Sequence, residues 1–162
     1  MKERFIVDVN AGKLARRLRM LGYDTMFING AHDDELLKIA WKEGRVLLTR
    51  DSGIMKRRVV TSGKARALLI EAGEVKEQLQ QVIDELELGG ESDPFTICME
   101  CNTRLVTREK EEIRNLVPPY VFETRNTFMQ CPECGRVYWK GTHWERMVEE
   151  LGDVLESNEW HK

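Results

Sequence analysis

The sequence lacks the marks of a membrane or secreted protein. None of its 162 residues lie in a run that approaches the roughly 18 consecutive apolar residues needed to span a bilayer. Residues 1–13 contain neither a long apolar stretch nor a small-residue cleavage site, so they do not resemble a signal peptide. These absences predict a cytoplasmic protein without a membrane partner.

The sequence also lacks an excess of positive charge. It contains 25 Lys and Arg residues and 28 Asp and Glu residues, which gives a formal net charge of -3. A protein that coats nucleic acid through a global basic field is therefore excluded, whereas a local basic patch is not. There is no internal repeat, and the length suits one ordinary domain or two small ones.

Cysteine is scarce, but its four copies are paired. Cys98 and Cys101 form one C-x-x-C, and Cys131 and Cys134 form a second one after 29 intervening residues. Two such pairs supply four thiolates at the spacing of a tetrahedral zinc site. Two disulfides would be unusual in the cytoplasm, and each pair alone also fits thioredoxin-like redox chemistry. Four thiolates leave no open coordination position, so we expect a structural zinc ion.

A stretch rich in Gly, Ser and Pro, Leu88 to Pro94, divides the chain. It follows a strong helical pattern and has the composition of a linker. We predict one domain over residues 1–91 and a second over residues 92–162, a zinc-ribbon module with a C-terminal helix.

The first 91 residues alternate short apolar runs with helical periodicity. Strands are predicted at residues 4–7, 25–28, 45–49 and 67–70. The predicted helices cover 14–21, the segment from an N-cap at Asp33 or Asp34 to Gly44, a short basic stretch at 54–59, and 75–86. Continuous apolar strands between helices predict an α/β fold with a parallel sheet sandwiched by helices.

The cysteine-containing part has weaker patterns. We predict a helix over 109–116 that stops at Pro118 and Pro119, a segment 127–130 that leads into the second cysteine pair, and a returning hairpin strand at 136–139. A final helix is predicted over 143–155. Tyr138, Trp139 and Trp144 belong to the small core or stack on bases.

Acidic residues follow several predicted strands. Asp8 and Glu71 each come directly after a strand, Asp51 follows another by two residues, and residues 33–35 open a helix. Ligands of parallel α/β sheets bind outside the carboxyl ends of the strands. Carboxylates crowded there would repel one another, and Mg²⁺ or Mn²⁺ would relieve that repulsion and could activate water for phosphodiester hydrolysis. Helix capping and solvation are the alternative roles for these acids.

Basic residues are concentrated near the same end of the predicted sheet. Lys13, Arg16 and Arg19 lie on the helix after Asp8, and Arg50 adjoins Asp51. A charge run is commonly a solvated helix face. Beside a metal site, these cations would instead hold RNA phosphates.

Several motifs together resemble one known family. They are Asp8, Gly12–Asp24, Asp34–Leu37, Leu47–Asp51, both cysteine pairs, and Tyr138–His143. Over about residues 4–151, this combination resembles the Mut-seven C-terminal RNase domain family. The chain departs from it at Asn10-Ala11, where the family often has an apolar pair.

The resemblance implies a PIN-like nuclease domain followed by a zinc ribbon. It implies RNA cleavage with Mg²⁺ or Mn²⁺ held by Asp8, Asp34 and Asp51, with Asp33 as a substitute for its neighbour. Two other functions stay open. One is a non-catalytic RNA-binding protein with a degenerate nuclease site. The other is a receiver-type phosphoacceptor, which would need paired acids directly after the first strand, where this chain has Asp8-Val9.

Overall fold

The structure, a computed structural model, describes residues 2–88 and 93–150. The first unit, residues 2–88, is built on a four-stranded sheet in the order β2-β1-β3-β4. All three pairs of neighbouring strands are parallel. The strands are β1 (Phe5–Val7), β2 (Thr25–Phe27), β3 (Val46–Thr49) and β4 (Arg66–Leu69). The predicted α/β fold with a parallel sheet is therefore confirmed.

Helices cover both faces of this sheet. They are α1 (Gly12–Met20), α2 (Asp33–Glu43), α3 (Ser52–Met55), α4 (Arg58–Thr61) and α5 (Val75–Glu85). Successive strand side chains point to opposite faces, so uniformly apolar strands contribute to two cores. One buried cluster contains Phe5, Val7, Leu14, Leu18, Leu48, Leu79 and Val82. The other contains Ile6, Leu36, Leu37, Ala40, Leu47 and Ile54.

Two local predictions in this unit are corrected. The N-cap of α2 is His32, with no side-chain cap, so Asp33 and Asp34 lie inside the first turn instead of capping it. The helix predicted over 54–59 is split into α3 and α4, because Arg57 has an extended backbone with φ -65° and ψ 139°. The predicted helix end at Gly44 is confirmed by its left-handed φ of 65°.

Gly22 ends α1 and contacts the second unit. Its φ is +86°, and a Cβ built there would lie 2.2 Å from the carbonyl oxygen of Asp93. The Asp93 N–H also donates to the Leu21 carbonyl oxygen at 3.0 Å. Glycine is required here for both its left-handed backbone and its lack of a side chain.

We expect Gly22→Ala to lower the free energy of unfolding by about 3 kcal/mol, the sum of left-handed strain and overpacking. Gly44→Ala is the matched control, because its φ is +65° but nothing lies within 4 Å of its added Cβ. It should cost only about 1 kcal/mol. Urea unfolding of both variants measures the difference. Equal losses would show that the Gly22–Asp93 approach does not constrain the chain.

The second unit, residues 93–150, contains an antiparallel sheet in the order β5-β6-β7. Its strands are β5 (Val106–Arg108), β6 (Phe128–Gln130) and β7 (Val137–Tyr138), and its helices are α6 (Pro119–Thr124) and α7 (Thr142–Glu150). The predicted hairpin around the second cysteine pair is confirmed. Between residues 109 and 116 only a 3₁₀ turn, Lys110–Ile113, forms. Pro119 does not stop a helix but starts α6, since proline suits the first helical position.

Two predictions extend beyond the described residues. Residues 89–92, the middle of the predicted linker Leu88 to Pro94, lie outside them together with the predicted domain boundary, as does the predicted continuation of the last helix to residue 155. In the ranges that the structure covers, no helix has both the length and the apolar character to cross a membrane.

Polar contacts join the first cysteine pair to the edge strand β2. Asn102 accepts a hydrogen bond from the Thr25 N–H at 2.9 Å and donates to Asp24 Oδ1 at 2.7 Å. Arg19 donates to the Thr25 carbonyl oxygen at 2.9 Å and to the Met99 carbonyl oxygen at 2.8 Å. Both backbone groups of Thr25 are thus bonded by side chains, and the second unit is held against the first.

Candidate active site and metal centre

The four cysteines form a compact group. All four Sγ atoms lie within 4.8 Å of one another, and the Cys98 and Cys134 sulfurs are 3.8 Å apart. Tetrahedral Zn–S bonds of about 2.3 Å require sulfurs about 3.8 Å apart. The N–H groups of Cys101 and Cys134 point at the first sulfur of their own pairs, at 3.5 Å. The four cysteines therefore have the ligand type and spacing that a metal such as zinc requires, and the site is compatible with a zinc ribbon.

Tyr138 supports this group from β7. Its hydroxyl oxygen accepts from the Met99 N–H at 3.2 Å and lies 3.1 Å from Cys98 Sγ, within hydrogen-bond distance of that sulfur. Burial raises the pKa of Cys98, but the Tyr138 hydroxyl and backbone N–H groups outweigh burial and lower that pKa to about 7. A hydrogen bond with Cys134 raises the pKa of Cys101 to about 12. The lowered pKa favours the thiolate form of Cys98, and thiolate is the form in which cysteine binds metals.

Asp8 and Asp51 lie at the carboxyl edge of the parallel sheet. Their strands, β1 and β3, are neighbours, and the chain leaves them toward opposite sides of the sheet. Such a switch point is where α/β sheets bind ligands. Thr49 lies between the acids: its hydroxyl donates to Asp8 Oδ2 at 3.0 Å and accepts from the Asp51 N–H at 3.0 Å. One side chain thus links both predicted catalytic residues.

The two acids differ in environment. Asp8 is only 7% exposed, whereas Asp51 is exposed. Asp51 is the N-cap of α3, and its Oδ1 accepts from the Gly53 N–H at 2.8 Å. Capping, which the sequence indicated for the acids of α2, is therefore found at Asp51.

The other acids are less closely associated with this edge. Asp33, Asp34 and Glu35 occupy the first turn of α2, and Asp34 is 81% exposed and forms an ion pair with Arg57. Glu71, beyond β4, is exposed, and its N–H donates to Gln81. Across residues 2–88 and 93–150, only the cysteines form a group of three or more metal-binding side chains with ligand atoms within 4.8 Å.

Of the four cations predicted to contact RNA, three are exposed and one is buried. Lys13 and Arg16 are exposed on α1, where Arg16 forms an ion pair with Glu100. Arg50 is exposed and donates to the Ala72 carbonyl oxygen at 2.7 Å. Arg19 is only 8% exposed and its guanidinium is bonded to carbonyl oxygens, so it joins the two units instead of facing solvent.

Comparison with known proteins places this arrangement in a family. The family model of the Mut7-C RNAse domain matches residues 3–151. The chain belongs to the Mut7-C RNAse domain family. Membership indicates a ribonuclease-related function with RNA as the substrate. Neither a curated protein nor a solved structure matches the chain significantly.

Three residues that support the sites of this Mut7-C RNAse domain were missed by sequence reasoning. Thr49 lies within the Leu47–Asp51 motif, where its role as a link between two acids has no spacing signature. Asn102 directly follows Cys101, and its positive φ of 60° is a property of the folded turn. Tyr138 was noted only for base stacking or packing, whereas its hydroxyl serves the cysteine group.

Proposed function

We propose that this Mut7-C RNAse domain protein is a metal-dependent ribonuclease of PIN-like type that hydrolyses RNA phosphodiester bonds. Asp8, Asp51 and one of Asp33 or Asp34 would hold Mg²⁺ or Mn²⁺. The observation that carries the proposal is the Thr49 hydroxyl, which bonds to Asp8 and to the backbone of Asp51 at the switch point of the sheet. Carboxylate oxygens are the ligands that these hard cations prefer.

The protein orients both carboxylates before a cation binds. One oxygen of Asp8 accepts from the Thr49 hydroxyl, and one oxygen of Asp51 accepts from the Gly53 N–H. Such outer hydrogen bonds orient ligands and raise metal affinity. When bound, the metal would supply an activated water and polarise the phosphoryl oxygen.

Cations beside the acidic edge would hold the RNA. Lys13 and Arg16, three residues apart on α1, are both exposed, and Arg50 precedes Asp51. Three residues is the spacing of neighbours on one helix face. We propose that these three side chains bind phosphates and keep the strand at the carboxylates.

The four cysteines would hold one structural zinc ion. Their sulfur spacing and the hydrogen bonds to Cys98 support this role. A cytoplasmic location, where thiols stay reduced, stays a prediction.

A non-catalytic RNA-binding protein is the second candidate. It is favoured by the ion pair of Asp34 with Arg57, and by the absence, within the described ranges, of three acids with ligand atoms inside 4.8 Å. In that case the acidic edge would be inert and the exposed cations would only bind RNA.

Metal-dependent turnover separates the two candidates. Zinc-loaded protein is incubated with a labelled single-stranded RNA, and with Mn²⁺, with Mg²⁺, or with neither ion. We expect cleavage only when one of the two ions is present. Binding without cleavage of any RNA, at all metal concentrations, would favour the non-catalytic candidate.

A further inference from the structure

A cavity of about 650 Å³ lies between α1 and the cysteine-containing unit. Arg16 and Met20 line it from α1, while most of its wall comes from residues 95–144. The volume falls within the range of small-molecule binding sites. Its wall contains neither a cysteine nor one of the acids Asp8 and Asp51, although Tyr138 lines it and also contacts Cys98 Sγ.

The wall combines aromatic rings with positive charge. Five aromatic side chains line it: Phe95, Tyr120, Tyr138, Trp139 and Trp144. Its only charged lining residues in the described ranges are Arg16 and Arg136, and no acid lines it, although the chain has 28 Asp and Glu residues. The wall therefore suits a ligand that carries both a flat ring and a negative charge.

The two arginines share one acidic partner outside the wall. Arg16 forms an ion pair with Glu100, and the Arg136 guanidinium lies 4.0 Å from the same carboxylate. Their side chains are 47% and 57% exposed. Two guanidinium groups thus share one carboxylate, so Glu100 does not fully neutralise Arg16 and Arg136, and both can still contact an anionic group.

The aromatic rings are accessible to a ligand. Tyr120 is 69% exposed, and the other four rings of the wall are half-buried. Phe95 and Trp144 are already paired, with ring centroids 4.5 Å apart. Bases stack on such rings, and only an unpaired base can leave its strand to do so.

Two cations on α1, Lys13 and Arg16, lie between the start of the helix and Met20, which lines the cavity together with Arg16. α1 begins at Gly12, four residues after Asp8, and Lys13, Arg16 and Met20 follow at the spacing of one helix face. At 1.5 Å per residue, Arg16 lies about 6 Å and Met20 about 12 Å along the axis from the start of α1. A single strand that enters the cavity would thus pass Lys13 on its way to the carboxylates.

We propose that this cavity binds an unstacked base of single-stranded RNA, with the neighbouring phosphate on Arg16 and Arg136. It holds the strand beside the acidic edge and makes the protein selective for single strands over duplexes. The inference takes the identity of its ligand from the proposed function, but it concerns binding and is measured without cleavage.

The test measures binding in the full-length Asp8→Asn protein, loaded with zinc and without Mg²⁺ or Mn²⁺, so that RNA stays intact. Fluorescence anisotropy gives Kd for a short labelled single-stranded RNA and for the same sequence as a blunt duplex. Tyr120→Ala should weaken single-strand binding about 5- to 100-fold, the loss of one stacked base. Tyr120→Phe keeps the ring and should stay within about 2-fold of its parent.

Matched controls come from the far end of α2. Trp41 is an exposed ring at 52%, and Lys42 is an exposed cation in the last turn, so Trp41→Ala and Lys42→Gln should leave Kd unchanged. Arg136→Gln should weaken binding and reduce its salt dependence by one ionic contact. Unchanged Kd in both Tyr120→Ala and Arg136→Gln, or equal affinity for duplex, would overturn the inference. Binding that persists in a protein that never cleaves RNA would overturn only the proposed function.

Discussion

Replacing Asp8 or Asp51 with Asn should lower the rate of RNA cleavage by about 100-fold or more. The substitution keeps the shape of the side chain and removes the negative charge that a divalent cation requires. Both residues lie at the switch point of the sheet and are linked by Thr49. Loss of either charge would therefore remove one proposed metal ligand and leave the neighbouring residues in place.

The fold should survive these substitutions. In Asp8→Asn, the amide oxygen of the new side chain can still accept from the Thr49 hydroxyl, and Asn is as good an N-cap as Asp at position 51. Asp84→Asn is the matched control, because Asp84 lies near the far end of α5. Single Asp33→Asn and Asp34→Asn variants test which of these two acids is the proposed third ligand. Cleavage by Asp51→Asn at the wild-type rate would exclude Asp51 from the reaction.

Removal of the zinc ion that we propose for the four cysteines should unfold the second unit. Structural zinc contributes about 10–16 kcal/mol in small zinc modules, more than the total stability of most domains. Here the buried clusters of the second unit are small: one contains Ile113, Val117, Val121 and Phe128, and the other contains Cys98, Leu105 and Cys131. Cores of this size do not offset the conformational entropy of the unit without a metal.

The measurement follows metal content and structure together. Elemental analysis should give one zinc per chain. Loss of the antiparallel sheet signals in NMR spectra should accompany chelation, and the signals should return with Zn²⁺ but not with Mg²⁺. Co²⁺ in place of zinc should show the absorption bands of tetrahedral thiolate coordination. A disulfide between any of the cysteines in freshly purified protein, or retained sheet signals without metal, would contradict the prediction.

The fold of the first unit could be predicted because its strands carry an unambiguous pattern. Phe5, Ile6 and Val7 are apolar on both faces, as a strand covered by two helical layers must be. The second unit was harder, because none of its three strands is buried throughout and its sheet depends on the cysteine turns. The prediction that Pro119 ends a helix is wrong, because Pro119 is the first residue of α6.

At the acidic edge, too, the positions of residues could be predicted from the sequence but their side-chain contacts could not. The strand-end rule predicted that Asp8 and Asp51 share one edge, since parallel neighbours end together. It could not predict the shared hydroxyl of Thr49, which depends on side-chain geometry. The burial of Arg19 could have been predicted from helical periodicity. Arg19 lies four residues after the buried Ala15, on the inward side of α1.

The hydrogen bonds around Thr25 make the two units less separable than their composition suggests. Asn102 and Arg19 occupy the outer N–H and C=O of the edge strand β2, where another chain could otherwise pair. A shortened protein that ends at Leu88 would uncover this edge and leave the buried Arg19 without its bond to Met99. Composition divides the chain near residue 90, but hydrogen bonding does not, and protein engineers who cut there should expect self-association in place of a smaller soluble nuclease.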